Sequence, residues 1–220
     1  MEYAQTISRV VRTTVRNPFV VLLVSVTWSA SLLPFVTGIL LAGTFGALVG
    51  LWTTSLLIGF VVVGGARLVT VVLERQVSLG TEYFWEGLRD GKTLGLVVGV
   101  GTFLFSALAF LLFLNPLAGI PGMVLALFGV YVIIIWYVLV TFTLTLWARY
   151  EEPVPIRSVF SDGAALALKE PVAAGWVVVQ TVGWALLSIP LIIAPVLVLP
   201  GFAQMICTAI VRETLNDSEA

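Results

Sequence analysis

The sequence contains no histidine, a single cysteine, Cys207, and only 10% charged residues. Without histidine, zinc and haem sites lose their usual ligand, and hydrolases built on an imidazole base lose that base. One thiol cannot close a disulfide within the chain. Lysine is scarce too, present only as Lys92 and Lys169. The 11 basic residues are balanced by 12 acidic ones, so there is no net basic face to neutralise phosphates, which excludes nucleic-acid binding. No glycine-rich loop joins a strand to a helix, so nucleotide binding has no cradle and no cofactor is expected. Enzyme activity is not expected either: Glu151 and Glu152 abut Pro153 and read as a solvated turn.

What the sequence does have is apolar. Hydrophobic residues make up 60% of the 220, and the mean hydropathy is +1.10. An ordinary soluble domain carries about a quarter charged residues and could not cover so much apolar surface. An integral membrane protein is expected, with the lipid bilayer as its first partner. The charges fall in four segments and leave Asn17–Ala66, Thr93–Ala148 and Pro171–Val211 free of them. Each charge-free stretch is about twice the ~20 helical residues that one crossing needs, so each should fold back on itself. Backbone groups cannot stay unpaired in hydrocarbon, which favours helices.

The expected fold is therefore an all-α polytopic membrane protein. Six transmembrane helices form three helical hairpins (about 18–66, 94–148 and 172–211), each preceded by a cytoplasmic amphipathic helix. The whole chain is one membrane domain with cytoplasmic segments 1–17, 67–93, 149–171 and 212–220. Turns are expected at Gly38–Gly43, between Asn115-Pro116 and Pro121-Gly122, and at Pro190, Pro195 or Pro200-Gly201. All lysines and arginines lie between the hairpins or at the ends, which by the positive-inside rule places both termini in the cytoplasm of a multi-pass plasma-membrane protein. The apolar run from Pro18 is too long for the h-region of a signal peptide.

The segment before each hairpin repeats a pattern. In Ile7–Pro18, Ile7, Val10, Val11, Thr14 and Val15 share one helical face, with Arg9, Arg12 and Arg16 on the other. Phe160, Ala164, Ala167 and Leu168 repeat that face before Pro171, and Phe84–Lys92 begins the same way. Either the unit is triplicated or three juxtamembrane helices are independently amphipathic. The residues expected at the cytoplasmic interface are Arg9, Arg12, Arg16, Trp85, Arg89, Lys92 and Lys169, the cations at headgroup level and Trp85 as an anchor.

Within the apolar stretches the most polar groups are Gln180 and Gln204, with Trp184, Thr181 and Thr208 nearby. They form a candidate intramembrane site, facing either a neutral hydroxyl-rich ligand or each other as interhelical hydrogen bonds. Thr141, Thr143, Thr145 and the Ser25–Ser31 hydroxyls are expected to bond their own helices. Ala42, Gly46 and Gly50, and Gly95 with Gly99, place small residues one turn apart for close packing, within the chain or in a homo-oligomer. Gly64-Gly65 is expected to permit a bend, and Cys207 to be an inert packing residue.

The stretches SLLPFVTG (Ser31–Gly38), WEGLRDGK (Trp85–Lys92), LWARYEEPVPIRSVFSDGAALALKEP (Leu146–Pro171) and LVLPGFAQMICTAIVRE (Leu197–Glu213) resemble the YesL-like family of small membrane proteins. The resemblance spans nearly the whole chain, except that Leu40–Ala42 replace the proline usual after the first turn. It implies an accessory role beside carbohydrate uptake systems, with an ABC permease or ATPase as partner, and no catalytic or metal residues to carry over. The preference for arginine over lysine and the acidic end Asn216–Ala220 suit a halophilic archaeon. Two other functions remain open: a facilitator or channel for a small neutral solute, and a structural assembly factor.

Overall fold

Proline sets many of the helix boundaries in the computed structural model, which describes residues 3–75, 80–113, 119–150, 154–188 and 198–219. Helix α1 (Tyr3–Arg16) ends where Asn17 precedes Pro18, the first residue of α2 (Pro18–Ala30). Pro34 explains why α2 stops at Ala30, because its ring crowds the carbonyl four residues back. Helix α3 (Leu33–Arg75) follows and is interrupted at Ala42 (φ −139°, ψ 19°) and Gly43 (φ 56°, ψ −135°). The chain reverses there: Gly38 lies against the Gly46 carbonyl and Gly50 against that of Pro34. The Phe35 N–H donates to Thr54 Oγ1 across the two arms at 3.2 Å. The turn thus falls at the far end of the expected Gly38–Gly43 interval, at the one glycine there with positive φ.

Helices α4 (Glu82–Asp90) and α5 (Lys92–Phe113) join at Gly91, and α6 (Ile120–Arg149) starts beyond Gly119. Helix α7 (Ile156–Lys169) is joined by Glu170 to α8 (Pro171–Ser188), and α9 (Leu199–Glu219) ends the described chain. The expected turn residues Asn115, Pro116, Pro190 and Pro195 lie outside the described residues, as do Glu151, Glu152 and Pro153. Pro121-Gly122 and Pro200-Gly201 do not turn the chain. Each pair sits in the first turn of a helix, where a proline forfeits no hydrogen bond.

No strand occurs among the described residues. Three stretches, 18–75, 92–113 and 120–149, are long and apolar enough to cross a membrane, and Pro171–Gly183 is a shorter apolar helix. The arrangement is cyclic. Helices α3, α6 and α9 each touch the other two, and each carries one short helix: α4 on α3, α7 on α6 and α1 on α9. Helix α5 packs along α3, and α2 and α8 along α9.

The three joints share a register. The linker N–H donates to the carbonyl four residues back in every case, Asn17 to Thr13, Gly91 to Gly87 and Glu170 to Leu166, each at 2.9 Å. Seven residues before the linker, Val10, Phe84 and Gly163 are buried. Three and seven residues after it, Val20, Leu94 and Ala173, then Val24, Val98 and Val177, are buried. A following proline pushes its predecessor out of the helical region, so Asn17 (φ −129°, ψ 57°) and Glu170 (φ −119°, ψ 64°) bend alike. Gly91 precedes Lys92 instead and stays nearer helical, at φ −94°, ψ 18°.

Three expectations are corrected. The α1 face expected to be apolar is rotated: Thr6, Val10, Thr13 and Asn17 are buried, while Val15 is 75% exposed. The Thr13 hydroxyl donates to the Arg9 carbonyl (2.9 Å) and the Asn17 amide to that of Thr13 (3.2 Å), while the buried Asn17 Oδ1 has no partner among the described residues. The first apolar unit does not end at Ala66, since α3 runs to Arg75 with Leu68, Val69 and Val72 in the core beside Val10 and Ile210. Gly64 and Gly65 make no bend; they admit Phe84 and Gln204 against the backbone.

Glycine sets how closely the helices approach. A Cβ on Gly59 would strike the Gly95 carbonyl, and one on Gly201 the Val21 carbonyl. Gly175 on α8 has nothing within 4 Å. Overpacking a tight seam typically costs about 1–3 kcal/mol. Gly59→Val and Gly201→Val should each lower the thermal midpoint in detergent, whereas Gly175→Ala should hold or raise it.

Candidate functional site

Of the five polar residues expected to gather in one site, Gln204 and Thr181 lie in different seams. Gln204 on α9 turns to α3, where its Nε2 donates to the Val62 carbonyl at 2.9 Å and its amide covers Gly65. Thr181 on α8 instead lies 2.9 Å from the Tyr137 hydroxyl of α6 and 3.4 Å from Cys207 Sγ of α9. Tyr137 and Cys207 are also 3.4 Å apart, so the three groups tie three helices together. The Thr181 hydroxyl in addition donates to the Val177 carbonyl, 2.9 Å away. Thr208 is buried next to Cys207 in the chain, and Gln180 is half-buried on α8. Trp184 is on α8, its side chain outside what the structure describes.

These contacts are saturating rather than receptive. Gln204 meets a carbonyl that a helical glycine leaves uncovered, and the Tyr137–Thr181–Cys207 knot fills its own seam. Around them pack Val69, Phe142, Met205, Ile206 and Ile210, all fully buried. A groove of about 100 Å³ lies between the two arms of α3 and α5, lined by Phe35, Ala47, Leu48, Leu51, Ser106 and Phe110. Ser106 alone in that lining has a polar side chain, too little to orient a sugar. Among the threonines of α6, Thr141 and Thr145 donate to carbonyls four residues back, as expected, but buried Thr143 has no partner and sits under Gly163. Ser25 also departs from the expectation, accepting the Gly201 N–H at 2.8 Å.

Tyr137 was not singled out from sequence. Its signal is general: a buried phenol needs a partner, and a tyrosine in a charge-free helix is a polar handle. The second missed group is a set of arginines. Arg67, Arg149 and Arg212 are the residues at which the three charge-free stretches end, on α3, α6 and α9 respectively. Arg67 donates to the Ala148 carbonyl in the last turn of α6 (2.8 Å) and pairs with Glu86 at 3.6 Å. Arg212 reaches Glu74 of α3 at 3.7 Å. Burial lowers the Arg212 pKa from its ordinary value; Glu74 opposes the shift, and the nearby Arg149 and Arg9 add to it. Carbonyls in the last turn of a helix lack intrahelical donors and lie at the negative end of its dipole, so cations settle there.

The interface residues also divide. Arg9 pairs with Glu213 at 3.6 Å and Arg89 with Asp90 at 3.4 Å, whereas exposed Arg12, Arg16, Lys92 and Lys169 make no ion pair among the described residues. Trp85 is exposed with its ring edge-on to Phe84.

Comparison of the chain with family models, with curated proteins and with solved structures found no match.

An interhelical hydrogen bond between apolar spans contributes about 0.6 kcal/mol on average. Tyr137→Phe and Thr181→Val should each destabilise modestly, with a coupling of that order in a double-mutant cycle read by thermal unfolding. Cys207 should resist a maleimide in the folded protein and react once the protein is unfolded.

Proposed function

We propose that this chain is an integral membrane protein whose three apolar units each cross the bilayer twice, with both termini in the cytoplasm. In this reading it acts as a non-enzymatic accessory or regulatory subunit of an ABC-type carbohydrate uptake system. The six spans lie within 18–41, 44–66, 94–113, 120–148, 172–188 and 199–211, so the charged ends of α3, α5, α6 and α9 stand outside the bilayer core. Two observations support the topology: antiparallel contacts within α3, between α3 and α5 and between α5 and α6, and the restriction of lysine and arginine to the short helices and the adjoining ends of α3, α5, α6 and α9. The observation that carries the accessory role is the resemblance of the Leu146–Pro171 and Leu197–Glu213 stretches to the YesL-like family. The filled centre where α3, α6 and α9 meet fits a protein that works by contact with a partner better than one that conducts solute.

A permease or its ATPase should copurify in stoichiometric amount when the C-terminally tagged chain is extracted from native membranes in mild detergent and its companions are identified by mass spectrometry. Recovery of the chain alone, or only with copies of itself, would remove the accessory reading. Solute flux in liposomes that Gln204→Leu abolishes would replace it with a facilitator.

A further inference from the structure

Two groups of cations stand in different surroundings. Arg67 on α3 and Arg212 on α9 are only about a quarter exposed and compensated by acids or a carbonyl. Those beside the three equivalent linkers, Arg16, Lys92 and Lys169, are exposed and without an ion pair among the described residues. Each of these lies within one residue of its linker, Asn17, Gly91 or Glu170. Exposed large apolar side chains flank them along the chain. Arg16 sits between Val15 (75% exposed) and Phe19 (54%), and Lys169 between Leu168 (82%) and Val172 (63%). The middle joint offers Trp85 (60%) before Lys92 and Leu96 (48%) after it. An unpaired cation between two exposed apolar groups, at the root of a long apolar helix, matches neither water nor hydrocarbon alone. It matches the boundary at which a lipid phosphate meets its acyl chains.

We propose that the three joints form a ring of binding sites for anionic phospholipid headgroups, one per repeat, with Arg16, Lys92 and Lys169 each holding a phosphate and the first helix of each unit receiving the acyl chains. Arg12, exposed one turn before Arg16, adds to the first site. The proposal depends on the chain entering a bilayer and not on any transport partner. Selectivity is expected because the unpaired cations favour a headgroup with net negative charge over a zwitterionic one with the same acyl chains.

The test uses the full chain in nanodiscs of mixed phosphatidylglycerol and phosphatidylcholine with matched acyl chains, followed by native mass spectrometry of the lipids retained on release. Wild type should enrich phosphatidylglycerol, and each of Arg16→Gln, Lys92→Gln and Lys169→Gln should weaken that enrichment by about fivefold at one site. The triple variant should lose it. Arg157→Gln, an exposed cation near the start of α7 and away from the joints, should leave it unchanged. Equal retention of the two lipids by wild type, undiminished enrichment in the triple variant, or an equal loss in Arg157→Gln would overturn the proposal. Displacement of the bound lipid by millimolar inorganic phosphate would do so as well, since that marks a site for a free anion. Failure of the chain to enter the discs would overturn both this proposal and the membrane reading beneath it.

Discussion

The mutual contact of α3, α6 and α9 is the constraint to which the other elements answer. Three long helices can meet only if their backbones approach closely and no uncompensated charge lies between them. Their shared interior is apolar, and charge begins where each reaches Arg67, Arg149 or Arg212. There the ends are tied across helices, α3 to α6 through Arg67 and the Ala148 carbonyl, and α9 to α3 through Arg212 and Glu74. Each short helix then covers the end of one central helix, which is why Leu68, Val69 and Val72 are core residues although they follow the first charge.

The outer surface follows from the inner one. Once the small residues face inward, the large ones on α5 and α6 face outward: Leu104, Leu111, Ile120, Met123 and Ile135 are all well exposed. A surface of this kind is unstable in water and ordinary against lipid. The glycines divide by the same logic. Gly59, Gly95, Gly99 and Gly201 are in helix seams, and Gly43 serves a turn that requires positive φ.

Much of this was legible because membrane helices obey coarse rules. Charge exclusion located the apolar units, and two of the three joints could be read from Arg16-Asn17-Pro18 and Lys169-Glu170-Pro171. What escaped depends on which way a helix is turned. Val10 and Val15 look alike in an amphipathic pattern, but α9 covers only the first. Gln180 and Gln204 are alike in chemistry, yet Gln204 faces the backbone of α3, bared by Gly65, a relation between distant segments that spacing does not encode. Tyr137 carries no spacing signal of its own, although a buried phenol is as bound to find a partner as an amide is. Pro200-Gly201 misled because proline marks both turns and helix starts.

Topology is the direct test of the account. With Cys207 replaced by alanine, single cysteines at Gly43, Gly119, Gly80 and Pro155 would be probed in intact cells with a membrane-impermeant maleimide. The account predicts labelling of Gly43→Cys and Gly119→Cys from outside, and of Gly80→Cys and Pro155→Cys only after the membrane is opened. Outside labelling of Gly80→Cys or Pro155→Cys would contradict it, because the short helices and the arginine-bearing ends of α3 and α6 would then not share one cytoplasmic face.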